Sequence, residues 1–243
     1  MELAGRVALV TGSGRRIGQA IAVALGARGM RVAVHAHRST DGADETRRQI
    51  EAHGGEARVF TADLTQGEAP ERLVAEVAAS FGALDVLVNS AAIMLRTPVA
   101  EVSVADWDRI MALNLRAPFF ASRAAAPHMR ANGGAIVNIA DLAAFETWTG
   151  FVPHGISKAG VVQATRALAH ALAPAVRVNA IAPGVALLPE GWPAEQSEHL
   201  RRTTPLGRFG SPDDVVGAAL YLLEADYVTG ETIIVDGGRH VRR

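Results

Sequence analysis

Short runs of apolar, often β-branched residues alternate with longer segments of helical periodicity along almost the whole chain. Strands that are apolar at nearly every position are typical of sheets covered on both faces. A repeated strand-then-helix order requires right-handed crossovers between parallel neighbours. We therefore predict an α/β fold with one doubly wound parallel sheet and helices on both faces. The predicted strands, about seven in number, cover residues 7–11, 31–35, 57–61, 86–89, 135–139, 177–181 and 232–236.

The predicted helices cover residues 17–28, 43–53, 69–81, 103–129, 155–173 and 211–224. The chain contains no internal repeat, low-complexity tract or linker, so we expect residues 1–243 to form a single domain. The longest stretch without periodicity is the Pro- and Gly-rich segment 184–210. Because this segment follows the carboxyl end of a strand, where such sheets bind ligands, we expect it to act as a lid.

Composition excludes several classes of function. The formal net charge of −1 gives no electrostatic basis for binding nucleic acid or an anionic membrane. No run is apolar over the length that a membrane span needs, and the first residues lead directly into a strand without a signal peptide. There is no cysteine, and the histidines lack metal-ligand spacing, so we expect no metal site. These features favour a cytoplasmic protein with a small-molecule substrate.

A glycine-rich turn, TGSGRRIG, joins the first predicted strand to the first predicted helix. Free backbone amides and the helix dipole at such a turn favour a pyrophosphate. The glycines at positions 12, 14 and 18 do not follow the GxGxxG spacing, so the strand–turn–helix context carries the prediction of a dinucleotide site. The residues of the turn that we expect to contact the cofactor are Gly12, Arg15, Arg16, Ile17 and Gly18.

The end of the second strand indicates which dinucleotide would bind. An NAD site usually has an acidic residue about 20 positions after the glycine turn, but this region reads HAHRS, with no carboxylate before Asp41. Basic and polar groups from both segments could bind a ribose 2′-phosphate through charge-assisted hydrogen bonds. A solvated basic strand end is the plainer interpretation, but convergence of two segments favours NADPH. The groups concerned are Arg16, His37, Arg38 and Ser39.

Two further stretches follow strands at the same edge of the predicted sheet. Asp63 and Leu64 come after the third strand, where we expect the adenine edge of the cofactor. Asn89, Ser90 and Ala91 end the fourth strand, where small side chains would let the backbone approach the cofactor closely. We therefore include all five residues in the predicted cofactor site.

With these motifs the chain resembles the short-chain dehydrogenase/reductase family over essentially its whole length. The glycine turn, the asparagine after the fourth strand, Asn114 in a long helix, the Pro183-Gly184 turn and the closing VDGG all stand in the family's order. The resemblance implies one Rossmann-type domain, commonly in a homotetramer packed through the long fourth and fifth crossover helices. It also implies that Pro183, Gly184 and Val185 contact the nicotinamide cofactor.

The family's catalytic set is a Tyr-x-x-x-Lys pair on a helix, a serine 13 residues before the tyrosine, and an upstream asparagine. Lys158 stands at the lysine position and is the only lysine among 24 basic residues. A compact ammonium whose pKa can be moved is therefore retained where guanidinium would not serve. The tyrosine position holds His154 and the serine position holds Asp141. The two tyrosines of the chain, Tyr221 and Tyr227, are too distant in sequence to substitute.

The RRIG turn, the HxHRS strand end, the aspartate at the serine position and the closing DGGRH resemble the pteridine reductase and dihydromonapterin reductase branch. That resemblance implies NADPH and a substrate with a reducible C=N or C=O bond. The branch usually places an aromatic ring after its Asn-x-Ala motif to stack on a pterin, whereas this chain has Met94 in that region. Apolar residues near the mouth favour a hydrophobic substrate, or equally lid packing or a subunit contact: Trp148, Leu187 and Trp192.

We hypothesise that His154 protonates the substrate, Asp141 orients or charges His154, Lys158 binds the nicotinamide ribose and Asn114 holds a relay water. Histidine titrates near neutrality, and Lys158 would lower its pKa while an ionised Asp141 would raise it. An imine substrate would demand less of the acid, because it can arrive already protonated. The alternative hypothesis is a catalytically inactive NADPH-binding protein, a sensor or a scaffold subunit, that has lost the tyrosine and the serine. Turnover distinguishes the two.

Overall fold

A computed structural model describes residues 1–38, 40–129, 133–186 and 194–241. Within these residues, seven strands form one parallel sheet in the order β3-β2-β1-β4-β5-β6-β7. The predicted doubly wound sheet is therefore confirmed. The strands are β1 (Val7–Thr11), β2 (Arg31–Ala36), β3 (Glu56–Thr61), β4 (Val86–Asn89), β5 (Gly134–Ile139), β6 (Val176–Pro183) and β7 (Thr232–Val235).

Helices connect the strands and cover both faces of the sheet. The long helix predicted over residues 103–129 is interrupted by a π-helical turn, Ala112–Arg116, which separates α4 from α5. The helices are α1 (Arg16–Ala27), α2 (Thr40–Ala52), α3 (Ala69–Phe81), α4 (Val104–Met111), α5 (Ala117–Met129), α6 (Val152–Leu172), α7 (Ala194–Thr203) and α8 (Pro212–Glu224).

The segment 184–210, which we interpreted as a long loop without periodicity, contains a helix that was not predicted, α7 (Ala194–Thr203). This helix is polar along its length and has no apolar stripe, so hydrophobic periodicity does not reveal it. An ion pair between Arg201 and Glu198, three residues apart at 2.6 Å, supports it locally. The predicted site residues Ser39, Leu187 and Trp192 lie outside the described residues.

Two apolar cores lie on opposite faces of the sheet. Helices α1, α2 and α8 cover one face, where Ile21, Ile50 and Leu222 are fully buried. Helices α3, α5 and α6 cover the other, with Leu73 and Leu168 in the core. This double cover explains why the central strands are apolar at most positions. None of the helices in the described residues is both long and apolar enough to cross a bilayer.

The order of the strands reverses between β1 and β4, and such a reversal opens a crevice at the carboxyl edge of the sheet. The hydroxyl of Thr11, at the end of β1, accepts the backbone N–H groups of Ser90 (3.0 Å) and Ala91 (3.1 Å), just after β4. The two loops that border the crevice are therefore joined at its floor.

Candidate active site

The glycine turn is built for close backbone approach. Gly12 has a φ of +65°, which favours glycine, and a Cβ there would lie 2.8 Å from the Cα of Ala91. A Cβ on Gly18 would collide with the carbonyl oxygen of Gly12. Any larger residue at either position would push the turn away from the loop after β4 or from α1. The first turn of α1 is therefore held against the crevice, where the amino end of the helix can face an anion.

Exposed basic side chains flank this turn. Arg15 and Arg16 extend from the turn, and His37 and Arg38 from the end of β2; all four are exposed. Arg16 has a φ of +56°, the one non-glycine residue with positive φ in the described chain, and this left-handed conformation costs about 1 kcal/mol. His37 Nε2 lies 3.5 Å from a carboxylate oxygen of Asp63. The structure thus places basic groups from two segments at one end of the crevice.

Some predicted cofactor residues turn their side chains away from the crevice. Ile17 packs against the core on the α1 face, and Leu64 is buried in the core on the α3 face. Asn89 donates to the side chains of Asn138 (2.8 Å) and Ser122 (3.1 Å) beneath the sheet edge. At these positions only backbone atoms are available to a ligand.

The turn after β6 also approaches its neighbour closely. The N–H of Gly184, which follows Pro183, donates to the carbonyl of Val235 at 2.9 Å, and a Cβ on Gly184 would lie 2.8 Å from Cβ of Asp236. The carbonyl of Val185 accepts the N–H of Gly210 at 3.0 Å. The closing VDGG segment therefore fixes the start of the segment that we predicted to be a lid.

Asn114 projects inward from the π-helical turn and is almost completely buried. Such turns occur frequently at functional sites. Its Oδ1 accepts the N–H of Ile93 and its Nδ2 donates to the carbonyl of Ile93, both at 2.9 Å. Nδ2 also donates to the hydroxyl of Ser157 at 3.1 Å. These contacts hold the N–H and the carbonyl of Ile93 in place. That Asn114 also holds a relay water stays a prediction.

His154 lies in the first turn of α6 and is only 2% exposed. Its Nδ1 is 3.2 Å from the carbonyl of Ile93 and 3.3 Å from Nδ2 of Asn114. The two hydrogens of that amide are taken by nearer acceptors, so Nδ1 of His154 is best placed to donate to Ile93. Its Nε2 is buried without a hydrogen-bond partner and lies 3.5 Å from Oδ2 of Asp141, within ion-pair range.

Asp141 follows β5 and is the more accessible member of this pair. Its Oδ1 accepts the N–H of Ala143 at 2.8 Å, which caps the short 3₁₀ turn Leu142–Ala144, while Oδ2 faces His154. The side chain of Asp141 is 25% exposed against 3% for that of His154. A ligand entering the crevice therefore meets the carboxylate before the imidazole.

Lys158 lies one helical turn after His154 on the same side of α6. Its Nζ donates to the carbonyl of Ile139 at 2.7 Å, and the residue is 4% exposed. Burial lowers the pKa of Lys158 to about 8, although the charge of Asp141 partly opposes the shift. The single lysine of the chain therefore stands beside the Asp141–His154 pair.

The mouth of the crevice carries apolar and aromatic side chains. Met94 is 47% exposed. Trp148 donates to a carboxylate oxygen of Glu146 at 2.8 Å, and the guanidinium of Arg239 lies over its ring at 5.7 Å. The loops after β4 and β5 are joined by a hydrogen bond from the N–H of Thr97 to the carbonyl of Gly150.

His35 is a site residue that sequence reasoning missed. It is buried at the end of β2, directly beneath the glycine turn. The available signal was a histidine on an otherwise apolar strand. Among the described residues, no group of three or more histidine and acidic side chains is placed to hold a metal ion.

Comparisons with known proteins give a consistent result. A family model described as enoyl-(acyl carrier protein) reductase matches residues 12–240. The chain is 38% identical, over 97% of its length and 96% of the relative's, to a protein of Streptomyces violaceoruber described as ketoacyl reductase 2 of the granaticin polyketide synthase. It is 37% identical to 3beta-hydroxysteroid dehydrogenase 1 of Eggerthella lenta, over 98% of this chain and 94% of that protein.

A solved structure from Sinorhizobium meliloti 1021, described as a short-chain alcohol dehydrogenase, superimposes with a TM-score of 0.95 at 41% identity. The match covers 100% of this chain and 99% of that one. The fold and site define a Rossmann-type oxidoreductase. The chain belongs to the short-chain dehydrogenase/reductase family, whose members use NAD(P)H and act on small molecules.

Proposed function

We propose that this protein is an NADPH-dependent reductase that delivers hydride to a C=O or C=N bond of a small hydrophobic or heterocyclic substrate, such as a pteridine or an imine. His154 and Asp141 take the places of the family's tyrosine and serine as the proton source. The observation that carries the proposal is the buried contact of 3.5 Å between His154 Nε2 and Asp141 Oδ2, one helical turn from Lys158.

The crevice fits a nicotinamide dinucleotide. The absence of a Cβ at Gly12 lets the turn pack directly against Ala91, so the backbone of both loops can lie close to a ligand. Lys158, buried beside the pair, is placed to bind ribose hydroxyls. When bound, the reduced cofactor supplies the hydride.

The preference for NADPH rests chiefly on Arg16. Glycine would adopt a φ of +56° without strain, yet the chain keeps an arginine there, beside a second arginine. Strain retained at a position facing a ligand site is a mark of function. Arg16, His37 and Arg38 would bind the ribose 2′-phosphate through charge-assisted hydrogen bonds. Ser39, which lies outside the described residues, belongs to the same proposed set.

We infer that His154 is the source of the proton, as the motif predicts, and that the proton passes to the substrate through the more exposed Asp141. Because Nδ1 of His154 donates to Ile93, the Nε2 atom and the facing carboxylate oxygen together hold one proton. Asp141 is the exposed member, so its O–H donates to the substrate oxygen or nitrogen as the hydride reaches the adjacent carbon. The donation leaves a carboxylate beside the unprotonated Nε2, and the charge of Lys158 stabilises this carboxylate. One proton from water then restores the pair.

The mouth of the crevice favours an apolar substrate. Met94 and Phe145 are both about half exposed on loops that leave the carboxyl edge of the sheet, and Trp148 forms a further aromatic wall. We also propose that segment 184–210 acts as a lid and that residues 1–243 form a single domain. The protein is further proposed to be a cytoplasmic homotetramer. Size-exclusion chromatography with light scattering tests the tetramer.

The function is tested by following NADPH oxidation between about pH 5 and 8, the range in which histidine ordinarily titrates. The substrates are a pterin, a cyclic imine and an aromatic ketone. We expect turnover with at least one of them, its loss in His154→Gln and its retention in His170→Gln, an exposed histidine on the same helix. NADPH binding without turnover on the whole panel would favour the inactive sensor or scaffold.

A further inference from the structure

The imidazole of His35 is held in one protonation state by its two neighbours. The residue is 2% exposed. The backbone N–H of Gly12 points at Nδ1 at 3.1 Å, and the carbonyl oxygen of Ala62 lies 3.1 Å from Nε2. A peptide N–H can only donate and a carbonyl can only accept. The ring must therefore be neutral, with a bare Nδ1 and its hydrogen on Nε2.

His35 also holds the next residue of the glycine turn through its backbone. Its N–H donates to the hydroxyl of Ser13 at 3.0 Å, and its carbonyl accepts the N–H of Ser13 at 2.9 Å. The hydroxyl of Ser13 in turn donates to the carbonyl of Val10 at 2.7 Å. The side-chain bond to Gly12 thus completes a set of three contacts that attach the turn to β2.

The Gly12 contact is the one that sets the direction of the turn. Gly12 is the point where the chain leaves β1 with a positive φ and passes against Ala91. Its N–H is used by His35 and so faces away from the crevice. Through Nε2 the same ring reaches Ala62, which precedes Asp63 at the adenosine end. One side chain therefore connects the phosphate and adenosine ends of the candidate cofactor site.

We propose that His35 is a positioning residue that, by accepting the N–H of Gly12, holds the glycine turn in the shape that receives the dinucleotide. This inference rests on the proposed function, in that the turn must bind a nicotinamide dinucleotide.

A charged imidazole is incompatible with this role. Protonation would place a hydrogen on Nδ1 facing the N–H of Gly12. Burial lowers the pKa of His35 to about 4, the bond to Ala62 opposes the shift, and the charge of His37 adds to it. The charged groups on the adjoining segments include His37 and Arg38 after β2, Asp63 after β3 and the two arginines of the glycine turn. At neutral pH the acceptor at Nδ1 is thus always present.

Two substitutions separate the two bonds of the ring. The Oδ1 of an asparagine stands where Nδ1 of histidine stands, so His35→Asn keeps an acceptor for Gly12. The amide of a glutamine reaches the position of Nε2, so His35→Gln keeps a donor for Ala62 and loses the acceptor. If His35 only filled space, the larger glutamine would be the better replacement. Positioning of the turn predicts the opposite order.

The experiment measures the dissociation constants of NADPH and NADH at neutral pH for the full chain, the two variants and His53→Gln, an exposed histidine of α2's carboxyl end. We expect affinity to fall about tenfold in His35→Gln, which corresponds to about 1.4 kcal/mol for the lost hydrogen bond, and to stay within about threefold in His35→Asn. Equal affinities in the two variants, or a greater loss in His35→Asn, would overturn the inference.

Hydrogen exchange followed by mass spectrometry gives a readout without ligand. The peptide that spans the glycine turn should exchange faster in His35→Gln than in His35→Asn, while peptides from α5 and α6 are unchanged. Uniform acceleration over the chain would show a merely structural role. If the unsubstituted protein binds NADH and not NADPH, the cofactor preference fails and the role of His35 stands. If it binds neither, both proposals fail.

Discussion

The two halves of the crevice are built on different principles. At the cofactor end, close backbone approach at Gly12 and Gly18 shapes the surface, and the charged side chains around it are exposed. At the catalytic end, Asn114, His154 and Lys158 are all less than 5% exposed and lie around one partly exposed carboxylate. The first end relies on geometry that the fold supplies. The second relies on buried polar groups, which lower stability unless each is satisfied.

The largest effect should come from the buried pair. Asp141→Asn and His154→Gln each remove the shared proton, and loss of a general acid lowers kcat by about 10²–10⁴. The affinity for NADPH should change by less than about threefold, because neither group belongs to the glycine turn. Steady-state kinetics with a parallel binding titration checks this. Full kcat in either variant would contradict the assignment of the pair as proton source.

A second prediction concerns His35, a buried titratable group at the cofactor end, where the other basic side chains are exposed. Its pKa is 6.5 in the unfolded chain and about 4 when folded. The unfolded state therefore takes the proton first, so stability falls as pH drops below 6.5 and the loss is complete near 4. The shift corresponds to about 3 kcal/mol. Urea denaturation of the unsubstituted protein and His35→Asn across this range should show a loss that the variant lacks. Parallel curves would contradict it.

Lys158 should lower the stability of the folded state at neutral pH although turnover requires it. Its pKa falls from 10.5 to about 8 on folding, so below pH 8 the folded state bears a buried charge, and this destabilisation is relieved as pH rises toward 10.5. Lys158→Met removes a burden of about 3 kcal/mol and loses a hydrogen bond worth about 1 kcal/mol. We expect a net gain of about 2 kcal/mol at neutral pH together with loss of turnover. A less stable variant would show that the ammonium is fully compensated.

The smallest effect is expected at the exposed arginines. Arg16→Gly relieves the left-handed strain but adds freedom to the unfolded chain, so stability should change by less than about 1 kcal/mol. The ratio of NADPH to NADH affinity should fall about tenfold, the worth of one charge-assisted contact. Arg15→Gly, at an extended φ of −166°, is the matched control without strain. Unchanged selectivity in Arg16→Gly would remove the main support for NADPH.

The same contrast explains what the sequence could predict. The parallel sheet follows from apolar runs that need two-sided cover, and the glycine turn follows from its place after β1. The positions 141, 154 and 158 follow from spacing and family resemblance. The burial of His154 does not, because it depends on Ile93 and Asn114, which come from other elements. Likewise α7 could not be predicted, because it carries no apolar stripe. The role of His35 could not be predicted either, because it depends on the N–H of Gly12, which lies in another segment.

The scarcity of lysine has a practical consequence. The α-amino group of Met1 donates to the carbonyls of Leu223 and Glu224, and Lys158 is the single side-chain amine of the chain. An amine with a pKa of about 8 is partly unprotonated, and therefore nucleophilic, near neutrality. Among side-chain amines, acylating or reductively alkylating reagents small enough to enter the crevice can therefore label only this position. Their rate of incorporation reports directly on how open the crevice is.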